Sequence, residues 1–384
     1  MSSDRHHAWL RLLRAQVPAA ALRRLLASHG DAQAAIDAGP GAWREAGIDA
    51  ETRRALGHPD AAAAAALESD LAWLAAPGHH LITFDDPDYP ALLARGPNPP
   101  PALFVDGNPA LLWHPQIAVV GSRAASAGGR DNARAFSRAF ARSGLTVCSG
   151  LASGIDTAAH QGALQAGGLT VAVVGTGPDR YYPASNRSLG ERIASEGAVV
   201  SEFLPGTGAR RENFPRRNRI IAGLSLGVLV VEAAERSGAL ITARLAGDAG
   251  REVFAVPGSI HNPLARGCHR LIRQGAALVE GAGEVIEALA PLAAELADAL
   301  RGRLAAVETG SASDEGARPA NGPPALPAEP EYQRLWQALG HDPVALDTLS
   351  ERTGLTADVL SSMLLVMELD GLVSVEHSRY ARRA

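Results

Sequence analysis

Ile117-Ala118-Val119-Val120-Gly121-Ser122-Arg123 is a short apolar run that stops on glycine, serine and arginine. Six runs of the same kind follow it: Thr146–Cys148, Thr170–Val174, Ala198–Val200, Gly227–Val231, Glu252–Val256 and Ala276–Val279. Apolar residues at helical spacing separate them. A strand that is apolar along its whole length is buried on both faces, the condition of a parallel strand covered by helices. The alternation predicts an α/β fold, an extended Rossmann-like doubly wound parallel sheet. Ligands of such sheets sit beyond the carboxyl ends of the strands.

Those ends share a chemistry. The first carries Gly121, Ser122 and Arg123, and the second Ser149-Gly150-Leu151-Ala152-Ser153-Gly154-Ile155-Asp156. The third carries Gly175-Thr176-Gly177 and then Tyr181-Tyr182-Pro183; the fifth carries Glu232 and then Ser237-Gly238-Ala239. Glycine lets a backbone approach an anion, and the amides of a following helix point at it. Serine hydroxyls and arginine add charge-assisted bonds, so the set predicts phosphate binding. Neither G-x-G-x-x-G nor the P-loop pattern occurs, which removes the usual warrant for NAD or ATP; no cofactor is expected. Between the fourth and fifth strands, Arg210-Arg211-Glu212-Asn213-Phe214-Pro215-Arg216-Arg217-Asn218-Arg219 holds five arginines against one glutamate. Arginine for phosphates and a ring for a splayed base suit a single strand of nucleic acid. Phe214-Pro215 is read as a rigid bend within it.

The chain has 384 residues, 46% hydrophobic and 20% charged, with a net charge of −5. It is not basic overall, so nucleic-acid binding must come from a local cluster. All 36 basic residues are arginine. Cys148 and Cys268 are the only cysteines, giving no disulfide framework and no metal-ligand spacing; no metal is expected. The first residues lack a signal-peptide pattern, and no apolar stretch approaches the ~18 residues of a membrane span. A soluble, cytoplasmic protein without membrane contact is therefore expected.

Residues 1–75 predict a small helical domain of SAM or helix-hairpin-helix type, broken at Gly30, Gly39-Pro40-Gly41 and Gly47. Residues 76–301 are assigned to the Rossmann-like domain, with 76–112 as a Pro-rich connecting segment around a strand-like Ala102–Val105. Residues 302–330 read as a flexible linker. Residues 331–384 outline a C-terminal winged helix, with strands at Gly371–Val375 and around Arg379-Tyr380.

Several segments closely resemble the DNA-processing protein A (DprA/Smf) family. They are Gly121-Ser122-Arg123, residues 149–160, residues 175–183, residues 214–225, Glu232 with residues 237–243, and residues 251–258. The resemblance implies a non-catalytic homodimer that binds single-stranded DNA with little sequence preference and loads the recombinase RecA in natural transformation. It implies that Gly121, Ser122 and Arg123 form one wall of a phosphate pocket shaped by Ser149, Gly150, Gly154 and Asp156. Phe214, Arg216, Arg217, Asn218 and Arg219 would supply the basic and aromatic wall, with Tyr182, Pro183 and Asn186 nearby; Ser237 and Gly238, read from the residues alone, could hold a phosphate without any reaction. The dimer surface would use His269, Leu271, Ile272 and Leu278. His269 stands where the family commonly has asparagine.

Asp156 and His160, at i, i+4, could form an acid–base pair. The favoured reading is that Asp156 holds the glycine turn or helix start and His160 is its satisfied neighbour. Glu232 could be a general base, a ribose ligand, or the ion-pair brace of the arginine cluster. Two other functions follow from these alternatives. One is a nucleoside-monophosphate hydrolase of the lysine-decarboxylase-like Rossmann group. The other is a duplex-DNA-binding regulator that presents Leu349–Leu369 of the winged helix, a stretch with Arg352 as its lone arginine.

Overall fold

The computed structural model describes residues 2–310, 330–339, 344–356, 359, 360, 363, 364, 367, 373–376 and 379–382. The chain divides into two compact units, Met1–Ala306 and Val307–Ala384.

The first unit begins with six helices, α1 (Ser2–Arg14), α2 (Ala19–His29), α3 (Ala32–Asp37), α4 (Gly39–Glu45), α5 (Ala50–Gly57) and α6 (Ala61–Leu74). Three of them start on an aspartate whose side chain accepts from the third amide beyond it: Asp31 from Ala34 at 2.8 Å, Asp49 from Thr52 at 2.9 Å and Asp60 from Ala63 at 2.7 Å. Then come β1 (His79–Thr83), α7 (Ala91–Ala94) and β2 (Ala102–Gly107). Strict alternation follows: β3 (Gln116–Val120), α8 (Ala127–Arg142), β4 (Thr146–Ser149), α9 (Ile155–Gln165), β5 (Thr170–Val173), α10 (Arg187–Glu196), β6 (Ala198–Ser201), α11 (Asn213–Leu224), β7 (Gly227–Val230), α12 (Ala239–Asp248), β8 (Glu252–Ala255), α13 (Arg266–Arg273), β9 (Ala277–Leu278) and α14 (Ala282–Gly310).

One nine-stranded sheet results, in the order β1-β2-β6-β5-β4-β3-β7-β8-β9. From β6 to β9 all neighbours are parallel, with Ala118 opposite Cys148 on one side of β3 and opposite Val228 on the other. The chain winds outward from β3 to β6 and then returns to the other flank of β3. That reversal opens a crevice between the carboxyl ends of β3 and β7, the usual ligand position of this fold class.

The segment read as a connection supplies more than its one foreseen strand. β1 and β2 pair antiparallel, Leu81 opposite Phe104, and β2 continues antiparallel onto β6, Val105 opposite Val200. The head helices lie on this extension: Trp9, Leu12, Leu22 and Leu25 share one apolar core with Leu81, Ala102 and Phe104. Arg14 ties α1 to α6 by two 2.7 Å bonds onto buried Asp70.

α14 continues to Gly310, so the first residues of the expected linker are helical; its remainder, 311–329, lies outside the described residues. The second unit contains α15 (Pro330–Ala338), β10 (Val344–Ala345), α16 (Leu346–Thr353), β11 (Val373–Glu376) and β12 (Arg379–Arg382). Its strands pair antiparallel in the order β10-β12-β11 over Leu335, Leu349, Leu364 and Val373, a winged-helix arrangement. β10 was not foreseen, and Leu349–Leu369 lies only partly within the described residues. No helix among the described residues is long and apolar enough to cross a membrane.

Phe104 joins head and sheet, so Phe104→Ala is expected to lower stability by about 3–5 kcal/mol. Denaturant unfolding followed by far-UV circular dichroism reads this; a loss below 1 kcal/mol would mean that head and sheet do not depend on a shared core.

Candidate nucleic-acid interface

The carboxyl edge of the sheet carries an open cleft of about 800 Å³. Gly121, Ser122 and Arg123, directly after β3, form one wall. Phe214, Arg217, Asn218 and Ile221 of α11 form the second, and Ser237 and Gly238 at the start of α12 close the third. The α11 residues are spaced i, i+3, i+4, i+7, so one helical face turns into the cleft. Pro215 stands in the first turn of that helix, where its missing N–H leaves no bond unmade. Phe214-Pro215 therefore opens a helix; it is not the bend expected.

Four guanidiniums line the cleft, Arg123, Arg211, Arg217 and Arg236, with Asp156 as the one carboxylate. None of the four has a carboxylate within ion-pair distance among the described residues. Arg217 is the extreme case. It is only 4% exposed, its Nη1 donates to the Val173 carbonyl at 2.7 Å, and its Nε has no partner. Burial lowers its pKa, while Asp156 pulls the other way. A Cβ on Gly150 would land on this guanidinium, so that glycine is a packing requirement.

Asp156 accepts from the amides of Gly150 at 3.1 Å and Ala152 at 3.4 Å, which makes it the anchor of the glycine turn, as favoured from sequence. Burial raises its carboxyl above the usual range, with Arg217 opposing. Gly154 holds φ +83°, and a Cβ there would collide with the Ser122 carbonyl. Ser149 donates to Val119 at 2.7 Å, and Asn186 donates to the Leu151 carbonyl at 2.9 Å and the Thr157 hydroxyl at 2.8 Å. Ser149, Gly150, Gly154 and Asn186 thus build the loop behind the cleft and do not line it.

Phe214 lies between Tyr182, with ring centroids 5.5 Å apart, and Arg123, whose Cζ is 5.3 Å from the ring centroid. Tyr182 is half exposed, and Pro183, joined to it by a cis bond, lies outside the cleft lining. Asn218 spans from α11 to the Gly238 carbonyl at 3.4 Å.

Arg216 and Arg219 are not on the cleft face. Both pair with Glu202, Arg216 at 3.3 Å and Arg219 more closely, and Arg219 also donates to the Asn98 carbonyl at 2.6 Å. Glu202, which sequence reading missed, is thus the brace that had been offered to Glu232. Arg236, likewise missed, precedes Ser237-Gly238 and reaches the cleft. Arg211 stood in the basic run without an assigned role.

Glu232 accepts from the Ser126 amide at 2.9 Å and its hydroxyl at 2.6 Å, with Asn262 at 3.4 Å. A Cβ on Gly129 would strike its carboxylate. It therefore caps the start of α8, where a dinucleotide-binding sheet places a pyrophosphate. His160 is not a partner of Asp156. The Thr170 hydroxyl donates to the Val147 carbonyl at 2.7 Å, so His160 Nδ1–H must donate to the Thr170 oxygen at 2.7 Å, leaving Nε2 buried without a partner.

Of the expected dimer residues, Leu271 is 8% exposed, packing into the core while also lining an open pocket beside α12. Ile272 packs partly against the same core, and His269 Nε2 lies 3.0 Å from the Gly258 carbonyl oxygen. Leu278, on the edge strand β9, is 47% exposed.

A doubly wound Rossmann-like sheet with an arginine-lined cleft at its crevice defines the chain as an α/β protein of the Rossmann-like class. Within that class, the chain belongs to the DNA-processing protein A (DprA/Smf) family. The family model for DNA recombination-mediator protein A matches residues 80–290. The DprA-like N-terminal HHH domain matches 3–67, and the DprA winged helix domain matches 318–377. The Smf protein of Escherichia coli is 42% identical over 317 residues, covering 82% of this chain and 80% of that protein. The DNA processing protein DprA of Streptococcus pneumoniae is 48% identical over 201 residues, 52% of this chain and 71% of that protein. The X-ray structure of the latter covers 73% of this chain and 97% of its own at 36% identity, with a TM-score of 0.63. DNA processing protein A of Helicobacter pylori, described for its single-stranded DNA binding mode, covers 56% of this chain and 96% of its own at 25% identity, TM-score 0.51.

Burial drives the His160 imidazole from 6.5 down to about 3, with Arg217 adding repulsion. Below the unfolded value the unfolded chain binds a proton that the folded chain refuses. This group's contribution is therefore complete above about pH 6.5 and is lost as pH falls, by at most about 1.4 kcal/mol per pH unit. Denaturant titrations from pH 7 to 4 should fall more steeply for the native sequence than for His160→Gln; parallel curves would refute the assignment.

Proposed function

We propose that the cleft grips the phosphate backbone of single-stranded DNA, with Arg123, Arg211, Arg217 and Arg236 on phosphates and the Phe214–Tyr182 pair stacking a splayed base. The observation that carries this reading is the set of four guanidiniums without ion-pair partners beside exposed aromatic surface. Cations held without carboxylate partners suit a ligand that brings its own negative charge. A cleft in which rings and arginines stand side by side matches a single strand, because a duplex hides its base faces. Gly121, Ser122, Ser237 and Gly238 bring backbone amides and hydroxyls to the same phosphates.

The reading is of a binding protein without catalysis. The hydrolase alternative needs a free base, and Glu232 is committed to Ser126. The duplex-regulator alternative needs arginines on the recognition stretch Leu349–Leu369. Arg352, in α16, donates to the Ala338 carbonyl at 3.1 Å and is followed by no second arginine in that helix. Membership among recombination mediators supports delivery of the bound strand to RecA. The exposed Leu278 on edge strand β9 is the site at which a second copy would pair to form the homodimer.

Fluorescence anisotropy with labelled oligo-dT and a matched duplex, over a salt series, tests the proposal. Stronger binding of the single strand is expected, weakened by Arg123→Ala and by Arg211→Ala. The log–log salt slope should become shallower by about 0.7 for each phosphate contact removed. Equal affinity for duplex, or indifference to both substitutions, would overturn it.

A further inference from the structure

The side of α11 turned away from the cleft repeats the cleft's own arrangement. The Glu202 side chain is 3% exposed and holds two guanidiniums. Arg219 has the closer contact and a second anchor on Asn98. Arg216 is the looser member: its side chain is 61% exposed, and its Cζ stands 5.4 Å from the centroid of the Phe203 ring. Arg123 stands over Phe214 at nearly the same distance, 5.3 Å. Two guanidiniums against one hidden carboxylate leave the outer face positive. Arg219 alone neutralises Glu202, so the exposed Arg216–Phe203 pair is not required for that ion pair. A guanidinium supported by a ring offers a surface on which a nucleobase stacks while its N–H groups reach a phosphate.

We propose that Arg216 and Phe203 form a second single-strand subsite, entered by a strand that leaves the cleft across the first turn of α11. The inference rests on the reading that the cleft itself binds single-stranded DNA. The crossing is short, since a helix with its side chains is about 10–12 Å wide. The residues at the crossing, Arg210, Arg211 and Pro215, are exposed, and two of them are cationic. Glu202 acts as a positioning residue, holding Arg216 from behind without touching DNA.

The test is anisotropy of the full chain against a ladder of oligo-dT lengths, for the native sequence, Phe203→Leu, Arg216→Ala and Arg123→Ala. Leucine keeps apolar volume at the end of β6 while removing the ring. Native affinity should rise with length until both subsites are covered. Phe203→Leu and Arg216→Ala should match it on the shortest strands and fall about tenfold behind on long ones, the scale of one base–aromatic stack. Arg123→Ala should be weak at every length. If Arg123→Ala is weak throughout but the other two track the native protein at all lengths, the second subsite is refuted and the cleft stands. Equal losses at every length for Phe203→Leu and Arg216→Ala would mean that they act on the cleft itself, which also refutes a separate subsite. If Arg123→Ala tracks the native protein, the cleft reading falls and takes this inference with it.

Discussion

The buried guanidinium of Arg217 is the constraint on which the site depends. A charge taken out of water needs compensation, and this one receives a single carbonyl, Val173, and the more distant field of Asp156. Accommodating it dictates its surroundings. Gly150 must lack a side chain, and the next residue, Leu151, takes φ +57°, a left-handed conformation rare outside glycine. Asp156 then gathers the turn's amides, and Asn186 holds the Leu151 carbonyl. The ends of β4 and β5 and the starts of α9 and α11 are thereby fixed around one cation.

Much of this was legible in the sequence, for a physical reason. Parallel strands covered on both faces are apolar along most of their length, so β3 to β7 could be read directly, whereas β8 opens on exposed Glu252 and edge strand β9 is exposed at both residues. β1 could not: His79 and His80 open it, and only its last three residues are buried. Glycines at strand ends announced the cleft, but not which of them line it and which make room behind it. Within residues 210–219 the composition was clear and the geometry was not. Taking Pro215 as a bend hid the helical period that separates Phe214, Arg217 and Asn218 from Arg216 and Arg219. Glu202 closes β6 as Glu232 closes β7, yet only contacts across the sheet edge distinguish a brace for arginines from a cap for α8.

The head and the sheet are joined more intimately than their sequence suggests. β2 has its neighbours on both sides in antiparallel register, and its Phe104 is buried among residues of the first two helices. The same strand places the segment before it against α11, where the Asn98 carbonyl holds Arg219. Residues assigned from sequence to a connecting role thus contribute both to the core of the head and to the positioning of the helix that forms one wall of the cleft.

Glu232 at the start of α8 has a wider consequence. The position where a Rossmann sheet ordinarily holds a pyrophosphate carries a carboxylate bonded to Ser126, on the wall of a cavity of about 190 Å³. A carboxylate at that helix start repels a second anion, so the two ends of the crevice differ in sign, acidic beside α8 and basic beside α11.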